Sequence, residues 1–439
     1  YLWCYSTFFA LFCRKYACML VYFKAENYKS VKGPVVINFE ATAITAHQQT
    51  NVLERGKAKL LKTVLLYGAN ASGKSKILEA FITYRGLILS STSHHSTSLL
   101  PLQPFKLNTE TVKGPSHLES EFVIKNKRYK YGFKANSKHI ESEWLTEVKL
   151  TTESPIFLRI GQEFSIDKKK FLNAEGLEKK CNENVLFLSV ADQWNVPLAK
   201  EIYRWFFEMV TIHGLRDGKF KRHTNELLEK PEYNKLINDL IAHADLGIKS
   251  LNVVKFMETQ REHLQQRGVL SRDESDPDNE SRVFTHHDVY NKDGQITGVE
   301  SFDMLTHESE GTKKFYNILG AILSSIKTGN LVLIDELDAR FHTLLTKAII
   351  GLFNSENVKS GAQLMAVSHD VSVVDQELLR RDQVYIVEKD NFGATTTVSL
   401  AEYKTVRNET PFAKNYLEGK YGGIPFIENL ENFLKDGKK

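Results

Sequence analysis

The amino-acid sequence predicts an α/β fold. An α/β core is built from both ends of the chain, an antiparallel β lobe lies in the first half, and a large, mainly helical insertion separates the halves. The short apolar runs "KTVLLYG", "LVLIDEL" and "AQLMAVSHD" stop at a glycine, an acidic pair and a histidine. Each stands beside a helical pattern, as buried parallel strands do. Between Phe105 and about Phe157, apolar and polar residues alternate instead. From about Leu172 to Val269 the apolar residues recur at helical spacing.

In chain order, "LVYFKAENYKSV" and "GPVVINFEA" read as two strands joined by a turn. "KTVLLYG" is a short buried strand, and "KSKILEAFITYRGLIL" continues as a helix. The polar tract "SSTSHHSTSLL" reads as a loop. "SEFVIKNKRYKYGFKAN" and "HIESEWLTEVKLT" are antiparallel strands, with turns at Asn126-Lys127 and Asn136-Ser137. "PLAKEIYRWFFEMVTIH" and "EYNKLINDLIAHADL" are helices, and "SRDESDPDNESR" is an acidic, polar linker. A hairpin, a helix, the acidic strand, a helix, the histidine strand, and a further helix and strand ("DQVYIVEKD") complete the chain. The expected divisions are 19–157, 158–280 and 281–439.

The chain has 439 residues and ample apolar content for a large core. A formal net charge of +4 is small for this size, so composition neither demands nucleic acid nor excludes a local basic patch. No apolar run is long enough for a membrane span, and no membrane partner is expected. Three of the four cysteines fall in residues 1–18, which leaves Cys181. One thiol suits a reduced, cytoplasmic setting. The segment "YLWCYSTFFALFC" resembles a signal or anchor, but no small-residue cleavage site follows. Met19 is the expected natural start, with residues 1–18 a non-native or upstream extension.

The chemistry starts in "YGANASGKS". Gly68, Ala69, Asn70, Ala71, Ser72, Gly73, Lys74, Ser75 and Lys76 lie between a strand and a helix, which is the context a phosphate-binding loop requires. The glycines admit close backbone approach, so amide N–H groups at a helix N-terminus cradle a phosphate. Lys74 would reach the β- and γ-phosphates, and Ser75 would bind Mg²⁺. In "NLVLIDELDARFH", Asp335 ends a buried strand where it can hold Mg²⁺, and Glu336 beside it can accept a proton from attacking water. His369 ends another apolar strand, where a neutral imidazole can hydrogen-bond the γ-phosphate and that water.

"HESEGTKKFYNILGAIL" places Ser309 and Gly311 at the start of a helix that precedes the acidic strand. This segment resembles the signature motif of ABC-type ATPases, in the variant form found outside transporters. The resemblance rests on the order phosphate loop, signature, acidic pair, histidine. It implies an ABC-ATPase head that binds ATP with Mg²⁺ and hydrolyses it to ADP and phosphate. It also implies that Ser309 and Gly311 serve the nucleotide of a partner head, so that the assembly is a homodimer or higher homo-oligomer. The long insertion before the signature, and "DELDARFH", are similar to RecF-like, Rad50-like and overcoming-lysogenization-defect-like ATPases. In these, Asp338 and His342 would lie near the dimer interface. Heptads are not sustained in the insertion, so no coiled coil is expected. "LVYFKAENYKSV", "PFKLN", "YKYGF" and "YLEGKYGGIPFI" strengthen the likeness to the compact AAA-annotated ATPases of bacterial abortive-infection operons. Gln103, in "PLQPF", falls where that family's Q-loop glutamine could lie, and an ordinary loop glutamine fits equally well.

That resemblance implies an ATP-dependent switch for a separately encoded, nuclease-like effector in anti-phage defence. The rival is a DNA-repair or chromosome-maintenance ATPase that acts on DNA directly. No second carboxylate cluster follows His369, so no nuclease domain is expected in this chain. His286-His287 alternate faces of a strand and are poorly placed to chelate one ion. His94-His95 lies in a serine-rich loop, and "RDGKFKRH" is too short to claim DNA.

Overall fold

A computed structural model describes residues 18–149, 152–244, 246–266, 270, 279–403 and 411–423. The expected extension, apart from Cys18, and most of the acidic linker lie outside these residues. The fold is the expected α/β architecture with antiparallel sheets and several helices.

The core is a six-stranded sheet. Its order is Val210–His213, Leu331–Asp335, Gln363–Val367, Thr63–Tyr67, Val384–Lys389, Thr395–Ser399. The first five strands run parallel and the last is antiparallel. Thr63–Tyr67, Leu331–Ile334 and Gln363–Val367 are buried, which explains their unbroken apolar character. Val210–His213 was not expected as a strand. Its four residues continue the amphipathic pattern of the preceding helix Pro197–Glu208, and only pairing with Leu331–Asp335 reveals them.

A seven-stranded antiparallel sheet forms the lobe. Its order is Glu163–Ile166, Glu153–Ile160, Ile140–Val148, Lys127–Ala135, Ser116–Ile124, Met19–Glu26, Val35–Asn38. The lobe therefore continues to Ile166, beyond the alternation read to Phe157. Helix Lys74–Ser90 buries Phe81 and Tyr84 against this lobe: Phe81 stacks on Phe23 at 4.3 Å, and Tyr84 Oη donates to the Tyr131 carbonyl at 2.8 Å. Gln363 joins lobe to core by accepting from Leu20 N at 2.6 Å and donating to the Leu20 and Leu61 carbonyls at 3.0 Å.

Between the halves, helices Phe187–Gln193, Pro197–Glu208, Lys221–Leu228 and Pro231–His243 carry the expected helical content. The buried carboxylate of Glu143 accepts from Phe187 N and Leu188 N at 2.7 and 2.9 Å, so a charged acceptor satisfies orphan donors at a helix start. Arg159, equally buried, lies 3.5 Å from it. Strand Ser250–Lys255 pairs with the hairpin Ser281–Tyr290 and Ile296–Asp303, so this region is not purely helical. After His369 the expected α-helix is replaced by two single turns, Val371–Val373 and Arg381–Gln383. Asp370 and Asp375 draw the local amides to their carboxylates there, which competes with helix propagation.

Candidate nucleotide site

The glycine-rich turn leaves strand Thr63–Tyr67 and enters helix Lys74–Ser90, whose N-cap is Gly73 at φ 107°. A Cβ on Gly73 would lie 2.0 Å from Thr395 Oγ1, and one on Gly68 would lie 2.1 Å from the Val387 carbonyl oxygen. Both positions thus demand glycine on steric grounds. Thr395 locks the turn from the neighbouring hairpin: its Oγ1 donates to the Ser72 carbonyl at 3.0 Å and its N–H to the Ser30 carbonyl at 2.7 Å.

Lys74 is 3% exposed, and its ammonium donates to the Gly68 and Ala69 carbonyls, each at 2.8 Å. Burial pushes this amine down to about 8, against the pull of Asp338 and Asp335. Ser75 Oγ donates to Asp335 Oδ1 at 2.9 Å, and Lys76 pairs with Glu79 at 2.9 Å. The last two residues of the motif are therefore occupied differently: Ser75 faces the acidic strand and Lys76 the surface of its own helix.

The acidic strand is presented by its neighbours. His213 stands beside Asp335 in parallel register, and Gly214 N–H donates to the Asp335 carbonyl at 2.8 Å. A Cβ on Gly214 would fall 2.0 Å from the Glu336 carbonyl oxygen. Glu336 itself has φ 53°, a costly conformation for a glutamate. Its Oε2 is buried without a hydrogen-bond partner among the described residues, and so is Ser72 Oγ in the glycine-rich turn. Leu337 N–H then donates to the Val367 carbonyl at 2.9 Å, and Asp338 accepts from His369 N–H at 3.1 Å.

Burial lowers the His369 imidazole below its ordinary value, and the Lys74 charge lowers it further. Asp338, Glu336 and Asp335 act on the same ring in the opposite sense. That set of interactions shows Lys74, Asp335, Glu336 and His369 gathered in one place, although they come from three separate strand ends. Tyr67 Oη donates to the His369 carbonyl at 3.2 Å, which fixes the backbone under the ring.

The remaining candidates lie elsewhere. Ser309 caps helix Glu310–Thr328, its Oγ accepting from Thr312 N–H at 3.1 Å. Gly311 lets that helix approach segment 338–340, because a Cβ there would lie 2.6 Å from the Arg340 carbonyl oxygen. Among the described residues no hydrogen bond joins Ser309 or Gly311 to the glycine-rich turn. The carbonyl of Gln103 accepts from Lys29 N–H at 2.7 Å, beside the Ser30 turn, and its side chain is exposed.

Lys314 escaped the sequence reading. One turn beyond Gly311, it is fully buried, and its ammonium donates to the carbonyls of Glu336, Leu337 and Ala339 at 3.3, 3.0 and 2.5 Å. It also lies 4.1 Å from the Phe341 ring centroid. Helix Glu310–Thr328 thus holds the backbone of the acidic segment. Nothing in "TKK" distinguishes this lysine from the half-buried Lys313 beside it.

His286 and His287 take separate partners, Asn252 and Glu308, and no group of three or more metal-ligating side chains occurs among the described residues. No helix among them is long and apolar enough to cross a membrane.

Fold and glycine-rich turn together define a P-loop protein of the ATPase class. The chain belongs to the family described as "AAA domain, putative AbiEii toxin, Type IV TA system", whose model matches residues 64–375. Among solved structures it is similar to the SMC head domain from Thermotoga maritima, at 14% identity and a TM-score of 0.42, covering 87% of this chain and 98% of that one. A second is the Smc head domain with an extended coiled coil bound to the C-terminal domain of ScpA, from Pyrococcus furiosus. It is 13% identical with a TM-score of 0.39, covering 92% and 99% of the two chains. No curated protein matches the chain.

Proposed function

We propose that this chain is an ATP-binding and ATP-hydrolysing switch whose two composite sites form when two copies associate. The observation that carries the reading is the hydrogen bond from Ser75 to Asp335, next to a buried Glu336 oxygen with no partner. A hydroxyl and a carboxylate joined in this way are the donor set a Mg²⁺ ion takes in P-loop sites. Ser75 and Asp335 would hold that ion, which neutralises phosphate charge when bound.

The protein's own groups do the rest. Lys74 turns from the Gly68 and Ala69 carbonyls to the β- and γ-phosphates, and the amides of residues 70–75 cradle the β-phosphate. Glu336 takes a proton from the attacking water, and the neutral His369 ring orients that water and the γ-phosphate. Catalysis is then positioning and charge stabilisation more than covalent chemistry. Ser309 and Gly311, exposed or half-buried at a helix start, complete the site of the other copy. Hydrolysis releases the pair. The output passes to a separately encoded effector in defence against phage, in keeping with the toxin and antitoxin vocabulary of the family description.

Mixing two inactive variants tests this. Lys74→Ala removes the phosphate lysine, and Ser309→Arg blocks the partner's nucleotide. Each alone should lack ATPase activity. A mixture should regain it, since one mixed site combines the intact loop of one copy with the intact signature of the other. Failure to regain activity, with both variants folded, would sink the composite site.

A further inference from the structure

The segment Tyr421-Gly422-Gly423 lies directly on the P-loop. The Gly423 carbonyl accepts from Ala69 N–H at 2.9 Å and from Tyr416 Oη at 2.5 Å. Gly423 N–H donates to Glu388 Oε2 at 2.9 Å, on the core strand beside the P-loop strand. Helix Phe412–Leu417 supplies Tyr416, whose ring meets Tyr67 edge-on at 4.8 Å, and Tyr67 in turn donates to the His369 carbonyl. Gly423 has φ 65°, and a Cβ there would lie 2.9 Å from Ile386 Cγ2, so the approach demands glycine.

One peptide group makes this contact consequential. The Gly68 carbonyl and the Ala69 N–H belong to the same trans peptide and point in opposite directions. The carbonyl faces Lys74, and the N–H faces Gly423. While Lys74 rests on the carbonyl, both ends of the peptide are held. Once Lys74 moves to a triphosphate, the bond to Gly423 remains as that peptide's anchor.

We propose that residues 412–423 form a clasp that positions the P-loop for ATP, with Tyr416 and Gly423 as positioning residues. The inference rests on the ATPase reading above. Because the clasp matters most after Lys74 has left, it stabilises the nucleotide-bound loop more than the free one. Coupling is reciprocal: nucleotide must then tighten the clasp by the same factor.

The test uses the full chain with Mg²⁺ and a non-hydrolysable ATP analogue. Tyr416→Phe keeps the ring against Tyr67 and deletes only the hydroxyl, and Gly423→Ala forces the carbonyl out of place. Tyr416→Phe should raise the Kd at least fivefold, the low end of ordinary coupling between sites. Its kcat at saturating ATP and its thermal midpoint without nucleotide should stay near those of the unsubstituted protein. Gly423→Ala should raise the Kd further. In the unsubstituted protein, hydrogen exchange at the Gly423 amide should slow when the analogue binds. Normal binding by the unsubstituted protein with unchanged affinity in both variants overturns the clasp alone. No binding by the unsubstituted protein overturns the ATPase reading, and the clasp with it.

Discussion

Ser75 Oγ donates to Asp335 Oδ1 at 2.9 Å, across 260 residues of chain. The hydroxyl comes from the first turn of the helix after the P-loop strand, and the carboxylate from the end of a strand two places away in the sheet. Each group alone is ordinary; together they are the pair proposed above to hold Mg²⁺. Replacing either, Ser75→Ala or Asp335→Asn, should cut Mg²⁺-dependent turnover on the order of 100-fold, a loss of about 2.7 kcal/mol of charge stabilisation. Steady-state phosphate release at saturating ATP checks it, and turnover within twofold of the parent protein would remove the pair from the mechanism.

Glu336→Gln should stop hydrolysis while leaving nucleotide binding intact, so that ATP accumulates in an associated pair. Light scattering with and without ATP reads the mass, and phosphate release reads the chemistry. The amide keeps the size of the side chain and its left-handed backbone, so the fold should survive. Normal turnover in this variant would mean that another group takes the proton.

The Lys74 amine, pushed down to about 8 by burial, sets a pH dependence. The protonated form attracts a triphosphate, so binding is at full strength below about 8. Above that, affinity should fall about tenfold per pH unit, since each unit of deprotonation costs ~1.4 kcal/mol. Titration with a non-hydrolysable ATP analogue from pH 7 to 9.5 measures it. A flat profile would show that the charge of Lys74 does not hold the phosphates.

Lys314→Met keeps much of the buried stem and removes the ammonium that three carbonyls share. Unsatisfied buried acceptors cost roughly 1–3 kcal/mol, partly offset because a buried charge is also removed. The thermal midpoint should therefore drop by only a few degrees. Turnover should fall more, at least tenfold, because residues 336–339 lose the brace that sets the angle of Glu336. If kcat stays at the parent value while the midpoint drops, Lys314 is structural alone.

The parallel strands were legible because burial on both faces leaves an apolar run, and because each run stops at a chemically distinctive residue. Gly68 to Lys76, Asp335, Glu336 and His369 stand at such stops, and in the structure Ser75 meets Asp335 while Lys74, Asp335 and Glu336 all act on the His369 ring. Strand Val210–His213 was not legible, since four residues cannot establish a period of two after an amphipathic helix. Lys314 and Tyr416 were not legible either. Lys314 donates to carbonyls 22 to 25 residues further on, and Tyr416 to one seven residues on, and neither partner carries a pattern that the sequence displays. "YLEGKYGGIPFI" shows in the sequence only as a family-like segment; Gly422 and Gly423 sit at positive φ, and their place on the P-loop is a tertiary fact.

Strand Thr63–Tyr67 lies between Gln363–Val367 and Val384–Lys389, and neither neighbour exists until most of the chain has been made. During synthesis the P-loop strand must therefore wait, unpaired and fully apolar, while some 300 residues emerge after it. The antiparallel lobe, with its local hairpins, can close much earlier. A chain that stops between residues 166 and 363 holds every strand of the lobe and neither neighbour of the P-loop strand, so the lobe and the glycine-rich turn become complete at different stages of synthesis.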